Sequence, residues 1–192
     1  VTTQAGAAAL TAGAGKTLII AENLADGKAM NYAMDAAAGE WQLTDYVKKG
    51  IELLENKKGF FLMTESGKID WACHANDAGS AIHDTQALAD AVQVAVDFAK
   101  KHADETLILV TGDHETGGLT IGFAGTDYDT YLDLLENQTI SYAKFDSDYV
   151  ASYKENKTPF EDVLADIEEL FGLKAQGEEG DKLVLTEYEM EQ

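Results

Sequence analysis

Two short runs of the sequence concentrate carboxylate and imidazole side chains, which are the groups that bind divalent metals in proteins. The first run contains Glu65, Asp70 and His74, separated by five and four residues, and the second contains Asp113 and His114 side by side. Zinc accepts imidazole nitrogen and carboxylate oxygen, whereas magnesium prefers oxygen alone. The two Asp–His sets therefore suit zinc, and Glu65 suits magnesium.

Each run follows a segment whose composition predicts a buried β-strand. Short apolar stretches predict strands, and apolar stripes at helical spacing predict two amphipathic helices between them. The predicted strands cover residues 16–21, 60–64 and 106–111, and the predicted helices cover residues 44–57 and 84–102. Strands that alternate with helices pair in parallel through right-handed crossovers. The sequence thus predicts an α/β fold, with a parallel sheet covered by helices on both faces.

In open α/β sheets, ligands bind beyond the carboxyl ends of the strands. The runs at 65–74 and 113–114 follow consecutive predicted strands, so we expect them to converge on one pocket. Taken alone, Asp113 and His114 would more often form a solvated turn, and Asp70 with His74 a local pair. Their occurrence at two successive strand ends favours a shared metal site.

The alternation of strands and helices is predicted to end near residue 123. Residues 1–123 are interpreted as a βαβαβ portion, with residues 119–123 as a further candidate strand, and residues 124–192 as a mainly helical insertion. The helical stretches of this insertion are predicted around residues 128–137, 149–156 and 159–173. Thr186 and Glu189 have the spacing of a capping box, which predicts the start of one more helix.

The composition and net charge argue against several classes of protein. The 192 residues include 14 basic and 35 acidic side chains, for a net charge of −21, and all 14 basic residues are lysine. An acidic chain repels polyphosphate backbones, so nucleic-acid binding is not expected, whereas small divalent cations are attracted. No apolar run approaches the ~20 residues of a membrane span. The single cysteine excludes an internal disulfide.

The sequences of both runs resemble those of the alkaline phosphatase family, in particular its bacterial members. The matching motifs are IDWACHAND at residues 69–77 and DHETGG at residues 113–118. The resemblance implies that Asp70 and His74 bind the first catalytic zinc, Asp113 and His114 the second, and Glu65 a structural magnesium. It also implies hydrolysis of phosphate monoesters through a phosphoserine intermediate, a homodimeric intact enzyme, and a periplasmic or secreted location.

The sequence departs from the family pattern at the residues that perform the reaction. The family uses a serine nucleophile in an upstream Asp-Ser word and an arginine that clamps the phosphate, and neither is present. Asp146-Ser147-Asp148 is similar to the nucleophile word, but it follows the metal-binding runs and is predicted to form a turn or helix cap. A later zinc-binding histidine is also missing, because no histidine follows His114.

These departures predict that the chain is an internal portion of an alkaline phosphatase and is inactive alone, with two incomplete zinc sites and one incomplete magnesium site. A start at Val1 without methionine is consistent with a processed or excised chain. Two alternatives stay open. One is another member of the same superfamily, such as a phosphodiesterase or sulfatase. The other is a non-catalytic acidic α/β module that binds divalent ions or a protein partner.

Overall fold

A computed structural model describes residues 1–120 and 129–191 of the chain, and helices dominate this part. In chain order the α-helices are α1 (Gln4–Ala8), α2 (Leu43–Leu54), α3 (Lys68–His74), α4 (Ala78–Lys101), α5 (Tyr142–Phe145), α6 (Ala151–Asn156), α7 (Phe160–Phe171) and α8 (Glu187–Glu191). Short 3-10 helices cover Asp26–Lys28, Ala33–Asp35 and Leu132–Asn137, and a π-helical turn covers Asp146–Val150. No helix in the described ranges is both long enough and apolar enough to span a bilayer.

The prediction of a parallel β-sheet is wrong. Residues 16–21, 60–64 and 106–111 do not form strands, and the β-pairing among the described residues is one isolated parallel bridge between Lys174 and Val184. A strand buried on both faces needs hydrogen-bonded neighbours and cover on each side. In these segments the side chains on one face are exposed to solvent: Phe61 is 85% exposed and Leu107 is 82% exposed. These segments are apolar, but they are not buried on both faces.

Helices α2 and α4 pack against each other and form the larger apolar core. Val47 and Ile51 of α2 are buried against Ala91 of α4, with partly buried Leu62 and Phe98 beside them. Phe60 and Phe98 meet edge to face, with ring centroids 5.6 Å apart. The inward side chains of residues 60–64 therefore belong to this helical core, whereas the alternate side chains point outward.

The ends of both long helices differ from the predicted ends because of side-chain hydrogen bonds. Helix α2 ends at Leu54, three residues early, where the Asn56 amide donates to the carbonyls of Leu54 and Gly59. Helix α4 begins at Ala78, six residues early, because Asp77 caps it by accepting a hydrogen bond from the Ser80 backbone N–H. These caps override the positions at which the apolar stripes begin and end.

The helices of residues 129–191 agree in part with the predicted insertion. Helices α6 and α7 lie within the stretches predicted to be helical, and Thr186 and Glu189 form the expected reciprocal capping hydrogen bonds at the start of α8. Ser147 lies in the π-helical turn and bonds locally to Lys144 and Asp148. The proposed domain boundary at residues 123–124 and most of the candidate strand at 119–123 lie outside the described residues.

Buried hydrogen bonds fasten the later helices to the beginning of α4. The Asp77 carboxylate, which is 8% exposed, accepts from the Ser80 hydroxyl, the Gln138 side-chain amide and the Tyr142 backbone N–H. Asp35 accepts from both the backbone N–H and the hydroxyl of Ser141. Since buried polar groups are costly when unpaired, this network fixes how the 138–145 segment packs on the helices that carry the candidate site.

Candidate functional site

Helix α3 brings Asp70 and His74 together. The seven residues Lys68–His74, which follow the second predicted strand, are helical, so the two side chains lie on one face at positions i and i+4. His74 Nε2 is 3.5 Å from Asp70 Oδ1, and the His74 side chain is largely exposed. The helix therefore presents an imidazole nitrogen and a carboxylate oxygen side by side toward solvent.

The first residue of α3 is Lys68, a buried lysine that anchors this end of the helix. Lys68 Nζ lies 2.6 Å from Asp26 Oδ1 and above the rings of Tyr32 and Trp71, at 4.1 and 4.5 Å from their centroids. Trp71 in turn packs so closely on Gly27 that a Cβ there would lie 2.8 Å from the indole ring. An ammonium over aromatic faces is favourable, particularly when desolvated. This arrangement fixes the turn of helix that carries Asp70.

The second predicted pair lies in the exposed turn around residues 112–118. His114 Nε2 is 3.7 Å from Asp113 Oδ2, and the His114 backbone N–H donates to Asp113 Oδ1. His114 Nδ1 lies 3.0 Å from the carbonyl oxygen of Glu115. That carbonyl, followed by the charge of Asp113, raises the pKa of His114 above its usual value. The turn thus holds the imidazole with Nδ1 toward its own backbone and Nε2 toward a carboxylate.

Thr116 joins the two segments. Its hydroxyl donates a hydrogen bond of 2.7 Å to Asp70 Oδ1 and lies 3.0 Å from His114 Nδ1. The next residue, Gly117, has a φ of +74°, and a Cβ there would overlap the carbonyl oxygen of Cys73 near the end of α3. The expected approach of the two runs is therefore present between Asp70 and His114, through a residue that the sequence analysis did not single out.

The distances within each pair are suited to zinc. Two ligands bound at 2.0–2.1 Å in tetrahedral geometry lie roughly 3.3 Å apart. The observed nitrogen–oxygen separations of 3.5 Å in the α3 pair and 3.7 Å in the 113–114 pair are close to this value. Donor chemistry and spacing within each pair therefore fit half of a tetrahedral site.

The five predicted metal ligands do not form one cluster. Among the described residues, no group of three or more His, Cys, Asp or Glu side chains is arranged to hold a metal ion. Glu65 is exposed and lines a depression of about 260 Å³ with Tyr46 and Met63. Within the described ranges its carboxylate forms no hydrogen bond or ion pair with the other four predicted ligands. The structure therefore brings together two pairs and one bridge between them.

A small cavity lies beside the contact between α3 and the 112–118 turn. It has a volume of about 110 Å³, and its lining includes Cys73, Asn76, Asp77 and Gly118. Burial, followed by the nearby charge of Asp70, raises the pKa of the Cys73 thiol. Because only the thiolate is a strong metal ligand, Cys73 suits packing in this wall better than metal binding.

Thr116 is the site residue that sequence reasoning missed. It lies inside the DHETGG word, but threonine is not among the usual zinc ligands, so its position carried no separate signal. Its contact with the site is visible only in the structure, because Asp70, which accepts its hydrogen bond, is 46 positions away in the sequence.

Comparisons with known proteins agree on one family. The family model for alkaline phosphatase matches residues 23–174. Alkaline phosphatase 4 of Bacillus subtilis is 37% identical over 134 residues, which cover 69% of this chain and 28% of that protein. The alkaline phosphatase of Escherichia coli is 49% identical over 74 residues, covering 38% of this chain and 15% of the other.

A solved structure extends the similarity to the fold. The crystal structure of a cold-active alkaline phosphatase from a psychrophilic Shewanella species superposes with a TM-score of 0.74 at 29% identity, covering 92% of this chain and 40% of that chain. This chain therefore corresponds to well under half the length of the proteins that it matches.

Proposed function

The chain belongs to the alkaline phosphatase family, and we propose that it supplies part of the metal-binding centre of a phosphomonoesterase. The observation that carries this proposal is the hydrogen-bonded connection from Asp70 through Thr116 to His114. It joins two Asp–His pairs whose internal distances suit zinc.

The residues divide into sets by donor chemistry. Asp70 and His74 would hold one zinc, and Asp113 and His114 a second, while Glu65 would contribute to a magnesium site. Bound zinc supplies Lewis-acid polarisation of a phosphoryl oxygen. The chain itself contributes the orientation of these ligands, which α3 and the 112–118 turn provide.

For the intact protein we propose hydrolysis of phosphate monoesters by a homodimer located outside the cytoplasm, as the family resemblance implies. We propose that the 192-residue chain alone has little or no activity. It contains no arginine to clamp a phosphate in bidentate fashion. It also has no serine in the Asp-Ser word of the family upstream of Glu65.

The test combines turnover with metal binding by the purified chain. We expect negligible hydrolysis of 4-nitrophenyl phosphate in the presence of added zinc and magnesium. Zinc binding, measured by competition with a fluorescent chelator, should be weak. It should weaken by at least about tenfold in Asp70→Asn and in His114→Ala, since each removes one of few ligands. His83→Ala is the matched control, because His83 is an exposed histidine outside the pairs.

Three results would contradict the proposal in different ways. Turnover at the rate of an intact enzyme would refute the inactivity of the chain. Equal zinc affinity in wild type, Asp70→Asn and His114→Ala would refute the assignment of the ligands. Submicromolar zinc binding without turnover would instead favour a non-catalytic module that binds divalent ions.

A further inference from the structure

The hydroxyl of Thr116 contacts groups from two separate segments, and its single proton determines the direction of both contacts. Asp70 Oδ1 is a carboxylate oxygen and can only accept, so the Thr116 proton is directed to it across 2.7 Å. The same hydroxyl oxygen lies 3.0 Å from His114 Nδ1. With its proton already committed, Thr116 Oγ1 can only accept from the imidazole, which requires a proton on Nδ1.

The backbone makes the same demand on the imidazole. His114 Nδ1 also lies 3.0 Å from the Glu115 carbonyl oxygen, which is another pure acceptor. Two acceptors therefore favour the Nδ1–H form of the neutral ring. In that form Nε2 keeps its lone pair, and Nε2 is the atom that faces Asp113 Oδ2 at 3.7 Å. A histidine binds metal through an unprotonated nitrogen, so this tautomer leaves the outward nitrogen ready to bind.

The position of Thr116 is enforced by its neighbour. Gly117 lies against the Cys73 carbonyl with a φ of +74°, which brings the backbone of the turn next to α3. Thr116 is partly buried, whereas the residues flanking it at 115 and 117 are exposed. Its side chain is therefore directed at α3 by the backbone.

We propose that Thr116 is a positioning residue, which fixes the Asp70 carboxylate and the tautomer of His114 with one hydroxyl and so aligns ligand atoms from both segments. The part of this inference that concerns metal rests on the proposed function. The two hydrogen bonds of the Thr116 hydroxyl involve only residues of this chain and can be tested without metal.

The experiment compares wild type with Thr116→Val, which keeps the shape but removes the hydroxyl, and with Thr116→Ser, which restores it. Thr111→Val is the matched control, because the Thr111 hydroxyl bonds only to the adjacent Gly112 carbonyl among the described residues. The first measurement is nitrogen-15 NMR of the neutral His114 ring in metal-free protein. The second is zinc affinity by chelator competition.

We expect the Nδ1–H form to predominate in wild type, Thr116→Ser and Thr111→Val. In Thr116→Val the ratio of Nδ1–H to Nε2–H should fall by about two- to tenfold, the effect of one hydrogen bond. Zinc affinity should fall by about tenfold or more in Thr116→Val alone, as expected when a group that orients metal ligands is lost.

Several outcomes would overturn the proposal. A wild-type ring that is mainly Nε2–H would do so whatever the variants show, and this result needs no variant to fold. A tautomer ratio and a zinc affinity in Thr116→Val that both stay within twofold of wild type would also do so. If wild type binds no zinc but the tautomer responds to Thr116→Val, the metal site of the proposed function fails and the positioning role is supported.

Discussion

Gly117 lies against the carbonyl of Cys73 so closely that no side chain fits between them. Its φ of +74° is a second constraint, because L-residues adopt this conformation at a cost. The neighbouring Gly118 has a φ of +72° but nothing within 4 Å of its potential Cβ. Both glycines therefore have a positive φ, but of the two only Gly117 would also clash with its surroundings if it carried a side chain.

The first prediction follows from this difference. Gly117→Ala should destabilise the chain by about 2–4 kcal/mol, since it combines backbone strain with overlap at the end of α3. Gly118→Ala should cost about 1 kcal/mol from the backbone alone. Urea denaturation followed by circular dichroism measures both. Equal costs would show that the approach of the 112–118 turn to α3 is absent in solution.

The second prediction concerns the buried cap of α4. Asp77→Ala removes the N-cap and leaves the Ser80 hydroxyl, the Gln138 amide and the Tyr142 N–H without their shared acceptor. We expect a loss of about 2–4 kcal/mol in the free energy of unfolding. Asp90→Ala, at an exposed position of the same helix, should stay within about 0.5 kcal/mol of wild type. Matching losses in the two variants would mean that the later helices do not depend on Asp77.

The candidate pairs could be picked out from residue types, whereas Thr116, which connects them, could not. Asp70, His74, Asp113 and His114 have side chains with obvious metal chemistry, and their words in the sequence indicated the family. Thr116 has no such chemistry, and its contact with Asp70 depends on how the 112–118 turn approaches α3. Distances between segments are set by packing, which a local pattern does not encode.

The predicted sheet was wrong because apolar content was equated with burial on both faces. Residues 60–64 and 106–111 have the composition of buried strands, but strand formation also requires a paired neighbour. Phe60 and Leu62 pack on the helical core while Phe61 and Met63 remain exposed, and Leu107 and Leu109 are more than 80% exposed. The two long amphipathic helices were predicted in the right places, apart from their ends, because apolar spacing is an intrinsic property of one segment.

The third prediction uses the buried carboxyl of Asp84. Burial is the main factor that raises its pKa, and the nearby Asp35 acts in the same direction; the hydrogen bond from Ala33 and the charges of Lys68 and His83 oppose the rise. Because the folded pKa exceeds the unfolded one, the protonated form favours folding, and this contribution is lost as pH rises through the folded pKa.

Asp84→Asn removes that loss while retaining an oxygen that accepts from Ala33. We expect the free energy of unfolding of the variant, relative to that of wild type, to increase as pH rises from 4 to 7. This difference should level off at higher pH, where Asp84 of the wild type is fully ionised. Urea denaturation at four pH values measures the difference. A difference that is constant with pH, or that shrinks as pH rises, would show that Asp84 does not titrate with a raised pKa.

The last prediction tests the one-sided burial of residues 60–64. Leu62 packs into the core between α2 and α4, so Leu62→Ala should cost about 1–3 kcal/mol in the free energy of unfolding. Phe61 is 85% exposed, so Phe61→Ser should change that free energy by no more than about 0.5 kcal/mol, although it removes the larger side chain. The comparison separates the observed arrangement from a strand covered on both faces, in which both substitutions would be costly. A loss in Phe61→Ser as large as that in Leu62→Ala, measured by urea denaturation of the same chain, would show that the outward face is covered in solution.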